Sequence, residues 1–399
     1  MDMSTRVPPS YVDSIASDLG SLPEPIRDAL LAVRRHRFLD EWFRLEITNS
    51  QASYRRVDFN RDAPSEEHLS LIYSNNALIT AHNGVFPTSS TSQPPLVARM
   101  LQLLDVAPGM RILEIGTGTG YNAALLSEIA GNENVYSVEL QPHVSERASR
   151  FLKEEGYEAV HALVGDGFYG IEEAAPFDRI VATVGCSDIS PHWLEQLSPG
   201  GIMLVPLHQG FTDPLVRITR HPEDAQSAVG AVADRSAFMQ IQGVLAWGNP
   251  WQTYQIRRLP KDAEWVRRIP KNLVLSDTCQ HPFCDHNHWC FHFFLTLCSR
   301  ELWYDNTGYG LSDPSSKSVV KFTKRGIEGI SVNRDSEALE RLHRHLVALH
   351  KKWSDLGCPS PSDYLLRFTP KNQADVTPFD PAREWNIERL SFLESFGLA

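Results

Sequence analysis

The feature that most restricts the fold of this chain is the junction Leu113-Glu114-Ile115-Gly116-Thr117-Gly118-Thr119-Gly120. There a short apolar run meets three glycines, and a helix-forming stretch begins at Tyr121. Glycine suits such a turn because it takes backbone angles that side chains resist and lets a ligand approach the main chain closely. The spacing is Gly-x-Gly-x-Gly. It departs from the dinucleotide fingerprint, since position 121 is Tyr, and no Gly-Lys-Ser/Thr follows to cradle a phosphate. The junction therefore predicts a strand, a glycine turn and a helix opening an α/β sheet.

The flanking sequence continues that pattern. Leu96, Val97, Met100, Leu101 and Leu104 form a helix stripe that Pro108–Gly109 ends. Strands are predicted at Arg111–Ile115, Asn134–Glu139, Val160–Val164, Arg179–Val184 and Ile202–Pro206. Helices are predicted at Tyr121–Ala130, at Pro142–Glu154 and near Trp193. Such alternation makes a mostly parallel, doubly wound, Rossmann-like sheet with helices on both faces, and ligands bind it at the carboxyl ends of its strands. Residues 1–75 read as helical and 76–91 as loop. Beyond residue 250, Trp289, Phe291, Phe293 and Leu295 alternate like a half-buried strand. Leu339, Leu342, Leu346, Leu349, Trp353 and Leu356 step like a long amphipathic helix that Gly357 and Pro359 stop. The tail from Pro370 reads as polar and partly disordered. The expected organisation is an N-terminal helical region (1–92), an α/β domain (93–250) and a C-terminal α+β domain (251–399).

Charge supports a boundary near 250. Residues 1–250 hold 18 Lys and Arg against 31 Asp and Glu, whereas residues 251–399 hold 20 against 18. A body so acidic lacks the basic footprint that nucleic acid requires. No apolar run reaches the roughly 20 residues that span a bilayer, so no membrane partner is expected. The six cysteines are unevenly spaced, which fits a reducing cytoplasm.

Three acidic or glycine-rich positions fall at successive strand ends. Glu139 closes the second strand, where a carboxylate can accept from both hydroxyls of a ribose. Asp166, in Gly165-Asp166-Gly167 after the third strand, is placed to accept from an adenine amino group. Glu114 precedes the glycine loop, where it could hold the loop amides or face a cationic end of the ligand. A plain turn or a solvated strand end would explain any one of these. Their common register points to an adenosine-bearing ligand held by Glu114, Gly116, Thr117, Gly118, Gly120, Glu139, Asp166 and Gly167.

Over about residues 20–245 the chain resembles the protein-L-isoaspartate O-methyltransferase family. The resemblance is carried by Ser90-Thr91-Ser92-Gln93-Pro94, the glycine loop, Gly165-Asp166-Gly167 and Leu197-Ser198-Pro199-Gly200-Gly201. It implies a class I methyltransferase fold, S-adenosyl-L-methionine as cofactor, and an aspartyl or isoaspartyl carboxylate of a peptide or protein as acceptor. Ser92 is the residue that the resemblance sets at that carboxylate, with Ser90 and Thr91 beside it as further hydroxyl donors. The residues themselves agree. If Ser92 caps the following helix, the N–H groups it would accept from belong to Pro94 and Pro95, which have none, so its hydroxyl is free; Thr91 could still cap through Gln93. A carboxylate acceptor with a pKa near ~4 is ionised at neutral pH and needs no general base.

The segment Ser89–Ala98 together with the C-terminal extension looks like the members that act on ribosomally made precursors of lanthipeptides, lasso peptides or graspetides, giving aspartimide or isoaspartate. General isoaspartyl repair and methylation of a small molecule are the enzyme alternatives, and a non-catalytic cofactor-binding protein is the alternative of another class. Cys279, His281, Cys284, His286, His288, Cys290 and His292 could ligate zinc, but no second Cys pair follows, and no metal is expected. Cys186 reads as a packed residue at a strand end, with no motif-placed base to activate it. His343, His345 and His350 read as a solvated helix face.

Overall fold

The computed structural model describes residues 6–246 with breaks at 49–50, 85, 211, 223 and 225, and then 265–268, 289–299, 301–305, 308–323, 326–331, 335–372 and 384–398. The chain divides into two compact units. One comprises Met1–Pro206, Arg217–Ala228 and Ala237–Ala246; the other comprises Leu207–Val216, Val229–Ser236 and Trp247–Ala399.

The first unit begins with helices α1 (Pro9–Leu19) and α2 (Glu24–Ala32) and a 3-10 turn at Arg35–Phe38. Strands β1 (Glu41–Thr48) and β2 (Gln51–Asp58), helix α3 (Glu66–Ile72) and strands β3 (Leu78–His82) and β4 (Pro87–Thr91) follow. The four strands make an antiparallel sheet in the order β2-β1-β3-β4. The helical reading of residues 1–75 holds for Pro9–Leu19, Glu24–Ala32 and Glu66–Ile72 and is corrected at Glu41–Asp58, and the loop read at 76–91 contains β3 and β4. Trp42 is buried while Arg44, Leu45 and Glu46 are exposed, and Arg55 pairs with Glu46 and Arg56 with Glu41 across the hairpin. Those cross-strand pairs are available to a hairpin and not to a helix.

Helix α4 (Pro94–Leu104) leads into the main sheet. Its strands are β5 (Ile112–Ile115), β6 (Val135–Glu139), β7 (His161–Val164), β8 (Phe177–Ala182) and β9 (Leu197–Pro206), joined through α5 (Tyr121–Ala130), α6 (Pro142–Glu154) and α7 (Pro191–Gln196). The order β9-β8-β5-β6-β7 is parallel throughout. Central β5 is buried along its whole length, as a parallel strand covered on both faces must be. Chain direction reverses its lateral progress between β5 and β8, and this switch point is where such sheets bind ligands. The α/β reading of residues 111–206 holds, with α5 and α6 at the boundaries the sequence predicts.

Strands β10 (Pro214–Arg220) and β11 (Ala228–Arg235) come next, each shared between the two units. The second unit holds a five-stranded antiparallel sheet. It contains β12 (Trp265–Arg268), β13 (Leu302–Asp305), β14 (Gly308–Asp313), β15 (Ser318–Thr323) and β16 (Gly326–Ser331), in the order β12-β16-β15-β14-β13. Helices α8 (Trp289–Cys298) and α9 (Ser336–Asp355) and strands β17 (Tyr364–Pro370), β18 (Glu384–Glu388) and β19 (Phe392–Leu398) complete it. One reading needs correction here, and another meets the structure only in part, since residues 373–383 lie outside the described residues. Residues Trp289–Leu297 form a helix buried on every side, so the alternation seen in sequence reflects aromatic content and not a pleat. The C-terminal tail, read as partly disordered, contributes β18 and β19, with Arg389 and Glu394 forming a buried ion pair between them. Helix α9 buries Leu339, Leu342, Leu346 and Trp353 as its spacing predicts.

Candidate active site

At the carboxyl ends of β5, β6 and β8 lies a cavity of about 420 Å³, a size that suits a small organic ligand. One wall carries Glu114, Gly116, Thr117, Gly118, Glu139 and Gly167; the facing wall carries Ser89, Ser90, Thr91, Ser92 and Gln93. The two walls meet at Gly118. Its φ is +55°, and a Cβ there would lie 3.3 Å from the Ser90 carbonyl oxygen, so only glycine allows this approach without displacement. Gly120 begins α5 as its N-cap.

The first wall is held by its own acidic groups. Glu139 is 8% exposed; its Oε2 accepts from Gly118 N at 3.1 Å and its Oε1 from Gln141 N at 3.0 Å. Each oxygen retains a second lone pair for a vicinal diol. Glu114 is fully buried. It accepts from Asn122 Nδ2 at 2.7 Å and Ser137 Oγ at 2.6 Å, and Ser137 in turn meets Thr117 Oγ1 at 2.7 Å. The sequence reading offered the loop amides as its partners; the structure gives it side chains, through which it grips both the loop and α5. Burial pushes its pKa up to about 7, aided by the charge of Glu139 and opposed by the Ser137 and Asn122 hydrogen bonds.

Asp166 is placed differently from the others. Its Oδ1 accepts from Phe168 N at 2.9 Å and its Oδ2 from Val244 N at 3.0 Å. Gly243 packs directly on that carboxylate, leaving no room for a Cβ. Gly167 reaches the cavity while Asp166 lies behind it, facing residues 243–244.

On the second wall Ser92 lies one residue before the helix cap, and its hydroxyl makes no capping bond, as the two prolines imply. Gln93 is the N-cap of α4, with Pro94 and Pro95 as its first two residues and no side-chain cap bond. Proline is pre-set for the first helical turn and lacks the N–H that a cap would satisfy, so the helix starts without one. Thr91 does not cap either: its hydroxyl is buried and has no hydrogen-bond partner. Ser89 accepts from the Thr80 hydroxyl at 3.0 Å. Among the described residues, the Ser90 and Ser92 hydroxyls have no partner, and both line the cavity.

Sequence reasoning missed a third contributor. Residues Ala237–Gln242 also line the cavity. They are fixed beside the end of β8, where Gly185 N donates to Met239 O at 2.8 Å and Ile241 N to Gly185 O at 2.9 Å. No motif marks them, since a chain segment about 55 residues beyond β8 announces nothing locally beyond Phe238, Met239 and Ile241. Of the proposed zinc cluster, residues 279–288 lie outside the described residues. His292 is buried and stacks on Tyr309, and burial holds its pKa down to about 4. No group of metal-ligating side chains occurs among the described residues. Cys186 is fully buried, with its backbone N–H on the Pro206 carbonyl.

The lining has a consistent chemical character. It offers hydroxyls, amides, two carboxyl groups and one phenol, and among the described residues no His, Lys, Arg, Asp or Cys. An acidic wall of this kind suits a ligand with a ribose and a cationic centre, so the residues fit S-adenosylmethionine, which supplies an electrophilic methyl group on a sulfonium. A site whose two carboxyl groups are already engaged with the glycine loop and its neighbours, and which offers no His or Lys among the described residues, suits an acceptor that is already a nucleophile at neutral pH.

Comparison with known proteins agrees. Residues 21–238 match the family of protein-L-isoaspartate(D-aspartate) O-methyltransferases. A protein-L-isoaspartate O-methyltransferase from Opitutus terrae is 39% identical over 187 residues, covering 46% of this chain and 77% of that protein. Protein-L-isoaspartate O-methyltransferase 1 from Nitrosospira multiformis is 38% identical over 194 residues, covering 48% and 78%. A solved structure described as a protein-L-isoaspartate O-methyltransferase aligns with a TM-score of 0.51 at 25% identity, over 90% of this chain and 96% of that one. The chain belongs to the protein-L-isoaspartate(D-aspartate) O-methyltransferase family and is an S-adenosylmethionine-dependent methyltransferase with a class I α/β fold.

Proposed function

We propose that this enzyme esterifies the free carboxylate of an isoaspartyl or aspartyl residue within a polypeptide. One observation carries the reading: the cavity joins a wall fitted for the cofactor to a wall of unpartnered hydroxyls, with no basic side chain among the described lining residues. The acceptor carboxylate arrives ionised, so the protein has no proton to remove. Its tasks are to align the carboxylate oxygen with the methyl carbon, exclude water, and hold the charge without neutralising it. Ser92 and Ser90, and Thr91 once a ligand reaches it, donate O–H to the carboxylate oxygens. Glu139 holds the ribose hydroxyls, and Glu114 sets the glycine loop through Ser137 and Thr117. After transfer, the backbone amide nitrogen that follows the esterified residue attacks the ester carbonyl. It loses its proton and expels methanol, leaving a succinimide.

A narrower reading is favoured by the serine-rich run Ser89–Ser92 entering α4, and by the second unit. In it the acceptor is an aspartate of a ribosomally made, modified precursor peptide, and residues 251–399 recognise that peptide in the cytoplasm. The second unit alone does not distinguish this from general repair, because a solved protein of the family name matches 90% of the chain.

Mass spectrometry after incubation with S-adenosylmethionine decides between them. The predicted result is a gain of about 14 Da on an acceptor peptide followed by loss of methanol, net about −18 Da, since only ester-to-imide chemistry gives that sequence. Turnover of a simple isoaspartyl peptide assigns repair; turnover of a modified precursor alone assigns peptide tailoring. Methylation of neither, with a small carboxylic acid turned over instead, overturns the polypeptide reading.

A further inference from the structure

Arg35 sits in the 3-10 turn after α2, fully buried, and outside the cavity lining. No carboxylate pairs with it among the described residues; its guanidinium is spent on backbone carbonyls instead. One terminal nitrogen donates to Ile72 O at 2.5 Å and Ser74 O at 3.2 Å. The other donates to Asn76 O at 2.9 Å, Ser92 O at 2.9 Å and, more weakly, Thr91 O at 3.5 Å. Its Nε is buried without a partner, so the terminal contacts alone offset the cost of burying a charge that no opposite charge faces, which points to a positional role for them.

That geometry has a direction. One arm of the fork reaches only the turn that follows α3, and the other joins that turn, at Asn76, to Thr91 and Ser92 of the hydroxyl wall. Three buried tyrosines close the space around it, Tyr11 and Tyr121 through a hydroxyl pair at 3.2 Å and Tyr73 through His36 at 2.8 Å. Because Pro94 and Pro95 give α4 no capping bond, the residues just before the helix lack the anchor that a cap would normally supply. The carbonyl bonds to Arg35 take that place.

We propose that Arg35 is a positioning residue for methyl transfer: by tying the Thr91 and Ser92 carbonyls to the Ile72–Asn76 turn, it sets where the Ser92 hydroxyl stands over the cavity. The assignment rests on the reading that Ser92 meets the acceptor carboxylate. The fork matters to it, since the three N–H groups of an ammonium cannot reproduce contacts to five carbonyls made from two nitrogens.

The test uses the full chain with Arg35→Lys, which keeps the charge, and Arg35→Met, which removes it. Three readouts are taken on each: amide hydrogen exchange, S-adenosylmethionine affinity by calorimetry, and kinetics with an isoaspartyl peptide. In Arg35→Lys, exchange across residues 88–93 speeds about tenfold or more while residues 112–120 keep wild-type protection. Cofactor Kd stays within about twofold, and kcat/KM for the peptide falls roughly tenfold or more. Wild-type exchange at 88–93 in both variants overturns the assignment. So does a loss of cofactor affinity in step with turnover, or loss of the fold in both variants, since either makes Arg35 a residue of the fold as a whole. If the wild-type protein methylates no peptide at all, the functional reading fails, while the exchange result still decides whether Arg35 positions this segment.

Discussion

The two walls of the cavity are built on opposite principles. On the cofactor wall both carboxyl groups have partners before any ligand arrives: Glu139 holds two amides, Glu114 holds Asn122 and Ser137, and Thr117 closes the chain. On the acceptor wall the backbone is pinned but the Ser90, Thr91 and Ser92 hydroxyls are left open. A preorganised wall binds a constant ligand with little reorganisation. In the function proposed above, a wall of unpartnered hydroxyls would take a carboxylate attached to varying peptides, because each hydroxyl can rotate to meet it.

This contrast can be broken first on the cofactor side. Glu139→Gln removes the charge and turns an amide donor toward Gly118 or Gln141. Two charge-assisted hydrogen bonds are weakened at once, so S-adenosylmethionine affinity measured by calorimetry falls about a hundredfold, near ~3 kcal/mol. Retained affinity means that the ribose is held elsewhere. The next largest effect belongs to the acceptor side. Ser92→Ala leaves the cofactor Kd within about twofold and lowers kcat/KM for an isoaspartyl peptide roughly 10- to 100-fold, the worth of one hydrogen bond to a charged group. Equal losses in both constants erase the division between the walls.

The smallest effect sharpens the comparison through pH. Glu114 titrates near 7 in the folded chain against an ordinary value of 4.5, because burial disfavours its charged form. The folded protein therefore keeps a proton that the unfolded chain releases between those values. Its contribution to stability is complete below about pH 4.5 and is lost as pH rises through about 7. Glu114→Gln, which cannot titrate, flattens the decline in Tm across that window relative to wild type. An unchanged slope shows that Glu114 is ionised throughout, with its charge stabilised by Asn122 and Ser137 more than burial opposes it.

The same contrast explains what the sequence made legible. The cofactor wall is local: Gly116 to Gly120 and the ends of β5 and β6 lie within 30 residues, and the periods of α5 and α6 mark their boundaries. The acceptor wall was found as a motif but misread as structure. Ser92 precedes the cap instead of forming it, because two prolines move the helix start to residue 94. The strands before it went unseen because the hairpin Glu41–Asp58 declares itself only through pairs across its two strands. Arg35 and residues Ala237–Gln242 were invisible for a stronger reason. Their contribution is made through backbone atoms, or from far along the chain, and side-chain pattern records neither. In the second unit, α8 is apolar all round, so no period separates helix from strand.

The proline pair that opens α4 has one more consequence. Helix N-termini commonly trap anions with their free amides, and here the first two amides are missing. A carboxylate brought to this end of α4 thus meets hydroxyls and not a ready-made anion hole. An anion gripped by a fixed array of N–H groups is a blunted nucleophile, and its neutral ester leaves those donors stranded. Hydroxyls that swing away as the charge disappears impose neither burden. If the acceptor docks as proposed, weak custody of it would favour both the attack and the departure of the product.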